Sequence, residues 1–371
     1  MLAPGATVAL SEIARRTPSF KTRVRLPRVR GVRSIGIDWS GIGGADQRKT
    51  IFVAEVKSEA LTRPPTNGRT RKEVVDWLIA EASDDPRMIV GLDFGFSLPS
   101  WYLTSLGITT ARELWNRLAD ERLTPRMEQL GLADWLKDPE PPFWSASKAA
   151  SGLQPGQEYR RTELELRAPG IQPKSVFQLV GSGQVGRGSL YGMQELHRLA
   201  TAGFSVWPFD EPQLPLVIEI YPRLFYGALK RSDPAARAHF LEHHGFADPS
   251  GIAAASEDAF DALMSAYSIA RFHDEILALH QDPDYGVEGR IWWHEPRPAA
   301  DGAPDPRDRH LNDRRDDIRV YLTEVLSELA ARRLTPEQQA DELTTKLDEL
   351  GVFRPRTRPQ ASPRFSSSQP E

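Results

Sequence analysis

Two short apolar runs of this 371-residue chain end in an aspartate, SIGID closing on Asp38 and MIVGLD closing on Asp93. Burying a carboxylate is costly unless it is hydrogen-bonded, paired or bound to a cation, so an acid at the tip of a buried strand calls for a partner. A later helical segment offers Asp258 and Asp261, whose three-residue spacing puts both on one face. Glu219, within VIEIY, is a fifth candidate. Each has a structural explanation when taken singly. Asp38 and Asp93 can cap the turns that follow them, and Glu219 can pair with Arg223 or another cation. Asp258 suits the first turn of a helix, a placement worth about 0.3–1 kcal/mol. Asp261 lies deeper and is explained less well. Brought together, three or four carboxylates repel one another unless a cation holds them.

The chemistry that follows is that of a hard divalent ion, Mg²⁺ or Mn²⁺, on oxygen ligands. Two such ions about 3.5–4 Å apart can activate a water and stabilise the leaving oxygen of a phosphodiester. The expected metal ligands are Asp38, bridging both ions, with Asp93, Asp258 and Asp261; Glu219 joins them as a catalytic candidate. Arg160, Arg161, Lys174 and Arg187 are candidate phosphate contacts. Residues 181–186 spell GSGQVG, a G-x-G-x-x-G match before a helix, but the acid and second strand of a dinucleotide fold are poorly placed. A tight turn or a phosphate contact is the better reading of that loop.

These residues need strands and a helix to position them. Residues 34–40 and 50–56 read as a hairpin-like pair of strands, 60–69 as a proline-containing loop, 70–82 as a helix and 88–93 as a further strand, an α/β pattern. Residues 101–170 are aromatic, proline-rich and irregularly helical, expected as an inserted cap over the sheet edge. Residues 174–180 read as extended, 189–202 as a helix, and 204–208 and 217–221 as strands. The helix expected over 257–280 has Ser256 as N-cap and an Ala262, Ala266, Ala270 ridge that lets it approach a sheet closely. Residues 288–293 read as a last extended edge. The organisation is then a basic, loosely ordered arm (1–30), a core (31–295), a linker (296–311), a helical hairpin (312–351) and a disordered tail (352–371).

GIDWSG, VGLDFGFSLP, the stretch 174–188, VIEIYPR, EDAFDALMSAYSIAR and EGRIWW resemble the successive blocks of the predicted-nuclease family called domain of unknown function 429. That family is assigned to the ribonuclease H-like superfamily, and the likeness covers residues 34–293. It implies a ribonuclease H-like mixed sheet flanked by helices. It matches Asp38 to the acid of the first strand, Asp93 to that of the fourth, and Asp258 and Asp261 to the acids of the last helix. The helix pair is similar to that of Holliday-junction resolvases, and Glu219 fits the family's EVYP-like block. RRTE at 160–163 departs from the family's Arg-x-x-Asp form. The function implied is metal-dependent hydrolysis of DNA or RNA.

Composition limits the alternatives. There is no cysteine, so disulfides, thiolate zinc and a cysteine nucleophile are excluded, and a cytoplasmic location is expected. No run approaches the roughly 20 apolar residues of a membrane span. The net charge is −4, so the chain as a whole is no basic nucleic-acid binder. Its cations gather instead at Arg15, Arg16, Lys21, Arg23, Arg25, Arg28, Arg30 and Arg33. An actin-like or sugar-kinase phosphotransferase would need a second phosphate-binding half, for which 296–371 is too short and polar. A non-catalytic scaffold for nucleic acid or protein is the remaining alternative.

Overall fold

In the computed structural model, residues 31–294 are described, apart from 59, 146–151, 168–170, 181–183 and 228. The expected arm, linker, helical hairpin and tail lie outside the described residues. Six strands form one mixed sheet: β1 (Arg33–Asp38), β2 (Phe52–Lys57), β3 (Ala60–Thr66), β4 (Met88–Leu92), β5 (Ser205–Trp207) and β6 (Leu216–Glu219), in the order β3-β2-β1-β4-β6-β5. The β1–β2 and β2–β3 pairs are antiparallel, and β1–β4, β4–β6 and β5–β6 are parallel. The chain is therefore α/β, with helices on both sheet faces.

The edge strand β3 corrects the loop expected at 60–69. Pro64 and Pro65 argue against a central strand, but an edge strand tolerates residues that cannot donate to a ladder. The extended segment expected at 174–180 is reduced to one isolated bridge, Trp144 with Gln178, and that at 288–293 to a bridge between Glu219 and Ile291. Arg33, grouped with the basic arm by sequence, is buried in β1. Its guanidinium donates to both carboxylate oxygens of Glu55, at 3.0 and 2.9 Å, and also pairs with Glu81.

Alternation along the strands sorts the sheet into two faces. Ile35, Ile37, Val53, Val90, Leu92 and Val217 join the core that includes α1 (Arg71–Asp84), α2 (Ala111–Ala119) and α3 (Val185–Thr201). A capping box starts α1: the Thr70 hydroxyl accepts from the Glu73 N–H, and the Glu73 carboxylate accepts from the Thr70 N–H. Side chains of the segment 101–145, among them Tyr102, Trp115, Trp135 and Phe143, extend this core rather than building their own.

On the opposite face lies α5 (Glu257–Leu277), which follows α4 (Pro234–His243) and begins where the Ser256 hydroxyl accepts from the Ala259 N–H. The alanine ridge does bring α5 onto the strands. A Cβ on Gly36 would lie 2.2 Å from the Ala262 carbonyl oxygen, and one on Gly91 would lie 2.7 Å from Ile269 Cδ1. Gly36 and Gly91 are register partners in β1 and β4, so the helix crosses the sheet over a pair of absent side chains.

Candidate metal centre

Two residues beyond Gly36 and Gly91 on the same face stand Asp38 and Asp93. The parallel register pairs Ile37 with Leu92, and the Asp93 N–H donates to the Ile37 carbonyl at 3.2 Å. The next rung therefore sets the two acids side by side. Helix α5, seated on the same glycine pair, supplies Asp261 from above. One carboxylate oxygen from each of Asp38, Asp93 and Asp261 lies within 4.8 Å of the others, close enough to share a cation. Asp261 is 1% exposed and Asp38 8%, while Asp93 is half-buried.

Asp258, one helical turn before Asp261, is half-buried and stands outside this trio. Its charge nevertheless helps to raise the Asp38 and Asp93 carboxyls above the ordinary range. For both of those acids burial is the largest cause and Asp261 the next. Burial also pushes Asp261 up to about 6, against the opposing pull of Arg231.

Arg231 was not evident from the sequence. It sits in a connection with no periodicity, between Lys230 and Pro234, and its guanidinium pairs with Asp261 Oδ2 and, at 2.8 Å, with Glu257. Arg237, buried in α4, donates to the Arg231 carbonyl and holds that connection in place. Tyr226 is buried beside Asp261, and burial together with the Asp261 charge holds its phenol above the usual range. The other oxygen, Asp261 Oδ1, is buried without a hydrogen-bond partner among the described residues. Buried polar atoms are satisfied with few exceptions, so this lone acceptor among three carboxylates fits a cation.

Glu219 is elsewhere. It pairs in register with Leu92, not with Asp93, so alternation turns it to the face opposite α5. There it is 2% exposed and accepts from the Phe96 N–H at 3.0 Å and from Arg160 Nη1 at 2.9 Å. Its assignment among the catalytic acids is thus corrected to a buried ion pair. Arg160 is corrected with it. At 1% exposure it donates to Glu163 Oε1 through Nε (3.0 Å) and Nη2 (2.9 Å), and to both oxygens of Glu219, so it cannot reach a phosphate. This trio tethers the turn that follows Asp93.

Arg161 is exposed but engaged. Its Nε donates to Glu165 at 2.8 Å and its guanidinium lies 4.7 Å from the Tyr285 ring centre. Lys174 is exposed. Arg187 lies beside the glycine turn after β1, with Nη2 3.1 Å from where a Gly43 Cβ would be. In the G-x-G-x-x-G match, Gly186 serves packing: an added Cβ would meet the Val176 carbonyl at 2.2 Å, and its N–H donates to Gln178 O at 2.9 Å. Gly181 and Gly183 lie outside the described residues.

The raised carboxyls have a measurable consequence. An acid whose folded pKa exceeds its unfolded value binds its proton more tightly in the folded state, so stability falls as pH rises between the two. For Asp261 that window runs from about 4 to about 6. Metal-free protein is therefore expected to lose melting temperature as pH rises from about 4 to about 6 through Asp261, with Asp38 and Asp93 acting in the same direction. Mn²⁺ favours the ionised forms, so its stabilising effect in a thermal scan should be larger at the upper end than at the lower. Equal shifts at both ends would count against ion binding by these acids. Asp38→Asn removes a buried carboxyl whose ionisation the site disfavours, and it should melt higher than the wild type at neutral pH without metal. A gain of a few degrees is expected, on a scale where about 1 kcal/mol moves the midpoint by roughly 2–4 °C.

No protein-family model, curated protein or solved structure matches the chain. Among the described residues, no helix is long and apolar enough to cross a membrane.

Proposed function

We propose that the chain is a divalent-metal-dependent nuclease with a ribonuclease H-like core, hydrolysing phosphodiester bonds of nucleic acid. The observation that carries this reading is the meeting of one carboxylate oxygen each from Asp38, Asp93 and Asp261 within 4.8 Å of one another, where Asp261 also keeps a buried oxygen, Oδ1, with no partner among the described residues. Strand tips and a helix pressed against the sheet hold the three carboxylates before any ligand arrives, which is the preorganisation an oxygen-liganded ion requires. Mg²⁺ or Mn²⁺ is the cation proposed, since the donors are carboxylates alone.

When bound, such an ion supplies an activated water and charge stabilisation for the leaving oxygen. The chain's part is then divided. Asp38, Asp93 and Asp261 hold the charge in a fixed frame, and Asp258 adds negative potential at the rim. Arg231 balances Asp261 while no ion is there.

The test is cleavage of end-labelled DNA and RNA by the purified protein with and without Mn²⁺. Asp38→Asn should abolish cleavage. It should also weaken Mn²⁺ binding by more than the roughly 10–100-fold typical of losing an outer-shell partner. Cleavage that persists unchanged in that variant would overturn the assignment.

A further inference from the structure

Beside the turn that leaves Asp38 stand two donors that no described residue uses. Trp39 is 8% exposed, and its indole Nε1–H is buried without an acceptor; the Nε–H of Arg187 is in the same state. Both adjoin one short stretch of backbone. An added Cβ on Gly41 would lie 2.7 Å from the Gly188 amide nitrogen and 3.1 Å from Arg187 Cβ, and one on Gly188 would lie 3.8 Å from Trp39 Cδ1. The glycines at 41 and 43 let Arg187 lie against the turn.

Two carbonyls of that turn are already taken. Arg71 Nη1 donates to the Ser40 and Ile42 carbonyls at 2.8 Å each while its guanidinium rests 4.1 Å from the Tyr191 ring centre. The Ser40 hydroxyl accepts from the Ile42 N–H at 3.2 Å. Arg71 and Arg187 are close enough for each charge to oppose the other, with Glu195 the carboxylate that faces Arg71. Two idle buried donors beside two like charges describe a place for an oxyanion, because a buried donor normally has a partner and charged donors bind phosphate oxygens most strongly.

We propose that Trp39 Nε1 and the Arg187 guanidinium form an oxyanion subsite over the Gly41–Gly43 turn, taking a phosphate of the nucleic-acid chain adjacent to the one at the carboxylates. The nucleic-acid source rests on the nuclease reading; the subsite itself does not.

The experiment uses the full chain in Ca²⁺, a larger ion with oxygen ligands, and a fluorescent single-stranded oligonucleotide read by anisotropy across salt concentrations. Arg187→Gln should weaken binding about tenfold or more and reduce the logarithmic salt slope by about 0.7. Trp39→Phe keeps the ring against Phe94, 5.0 Å away between centres. It removes one uncharged donor, so affinity should fall roughly threefold to tenfold with the salt slope unchanged. Mn²⁺ titrations of both variants should match the wild type, which shows that the fold and the carboxylate centre are intact. Variants that bind the oligonucleotide as the wild type does would overturn the subsite. Wild-type binding of inorganic phosphate through these two residues, with no oligonucleotide binding, would overturn the nucleic-acid source and the nuclease reading together.

Discussion

Gly36→Ala is expected to leave little folded protein. The added methyl would sit 2.2 Å from the Ala262 carbonyl oxygen, 2.5 Å from the Ala266 nitrogen and 2.7 Å from Ser265 Cβ. None of these can rotate away, because two are main chain and the third is the first atom of its side chain. Relief requires lifting α5 from β1, which also draws Asp261 away from Asp38. Overpacking commonly costs about 1–3 kcal/mol, occasionally more, and a backbone obstacle puts this site at or above the upper end. Gly188→Ala provides the contrast. Its Cβ would meet neighbours only at 3.6–3.9 Å, and alanine favours a helix over glycine by about 0.8–1.0 kcal/mol, so it should be neutral or stabilising. Urea unfolding of the two variants decides the matter. A Gly36→Ala protein as stable as the wild type would contradict the close seating of α5.

Arg160→Met should be the second large loss. It would strand Glu163 and Glu219, 2% exposed each, in the interior without a counter-charge. Removing one partner of a buried ion pair costs about 3–5 kcal/mol. Burial already pushes the Glu163 carboxyl above its usual range, so Glu163→Gln should be tolerated much better than Arg160→Met. Converting all three to neutral residues should recover most of the deficit, since replacing a complete buried pair is often nearly neutral. Equal destabilisation by Arg160→Met and Glu163→Gln would remove the ion-pair account. The damage should also reach the metal centre, because Glu219 holds the Phe96 N–H in the turn three residues beyond Asp93.

The acids at the strand tips were legible because two apolar runs end on them, and the docking of α5 because its alanines recur every four residues. Those two signals put Asp38, Asp93, Asp258 and Asp261 near one another, and the structure keeps three of the four within reach of a common point, leaving Asp258 outside. Glu219 was misplaced for a definite reason. Its face depends on the register of β6 against β4 across a connection of more than a hundred residues, and no local pattern encodes that rung. Arg160 looked like a ligand contact because cations near a candidate site read the same whether buried or free; only its partners from β6 and its own helical turn distinguish the cases. Arg231 had no signal at all, being a single cation in an aperiodic connection. The edge strand β3 was hidden by the two prolines that an edge position permits.

Because β1 and β4 are adjacent parallel strands, Asp38 and Asp93 are spaced by the sheet itself, at about 4.7–4.9 Å between neighbouring backbones. That interval belongs to main-chain hydrogen bonds, so swapping rotamers or side chains leaves it nearly unaltered. A cation shared by the two acids would meet that fixed interval, with the side-chain rotamers left to set the oxygen distances, about 2.0–2.1 Å for Mg²⁺ and 2.3–2.6 Å for Ca²⁺. Charge at the strand tips can thus be edited residue by residue, whereas the interval between the two tips is inherited from the sheet.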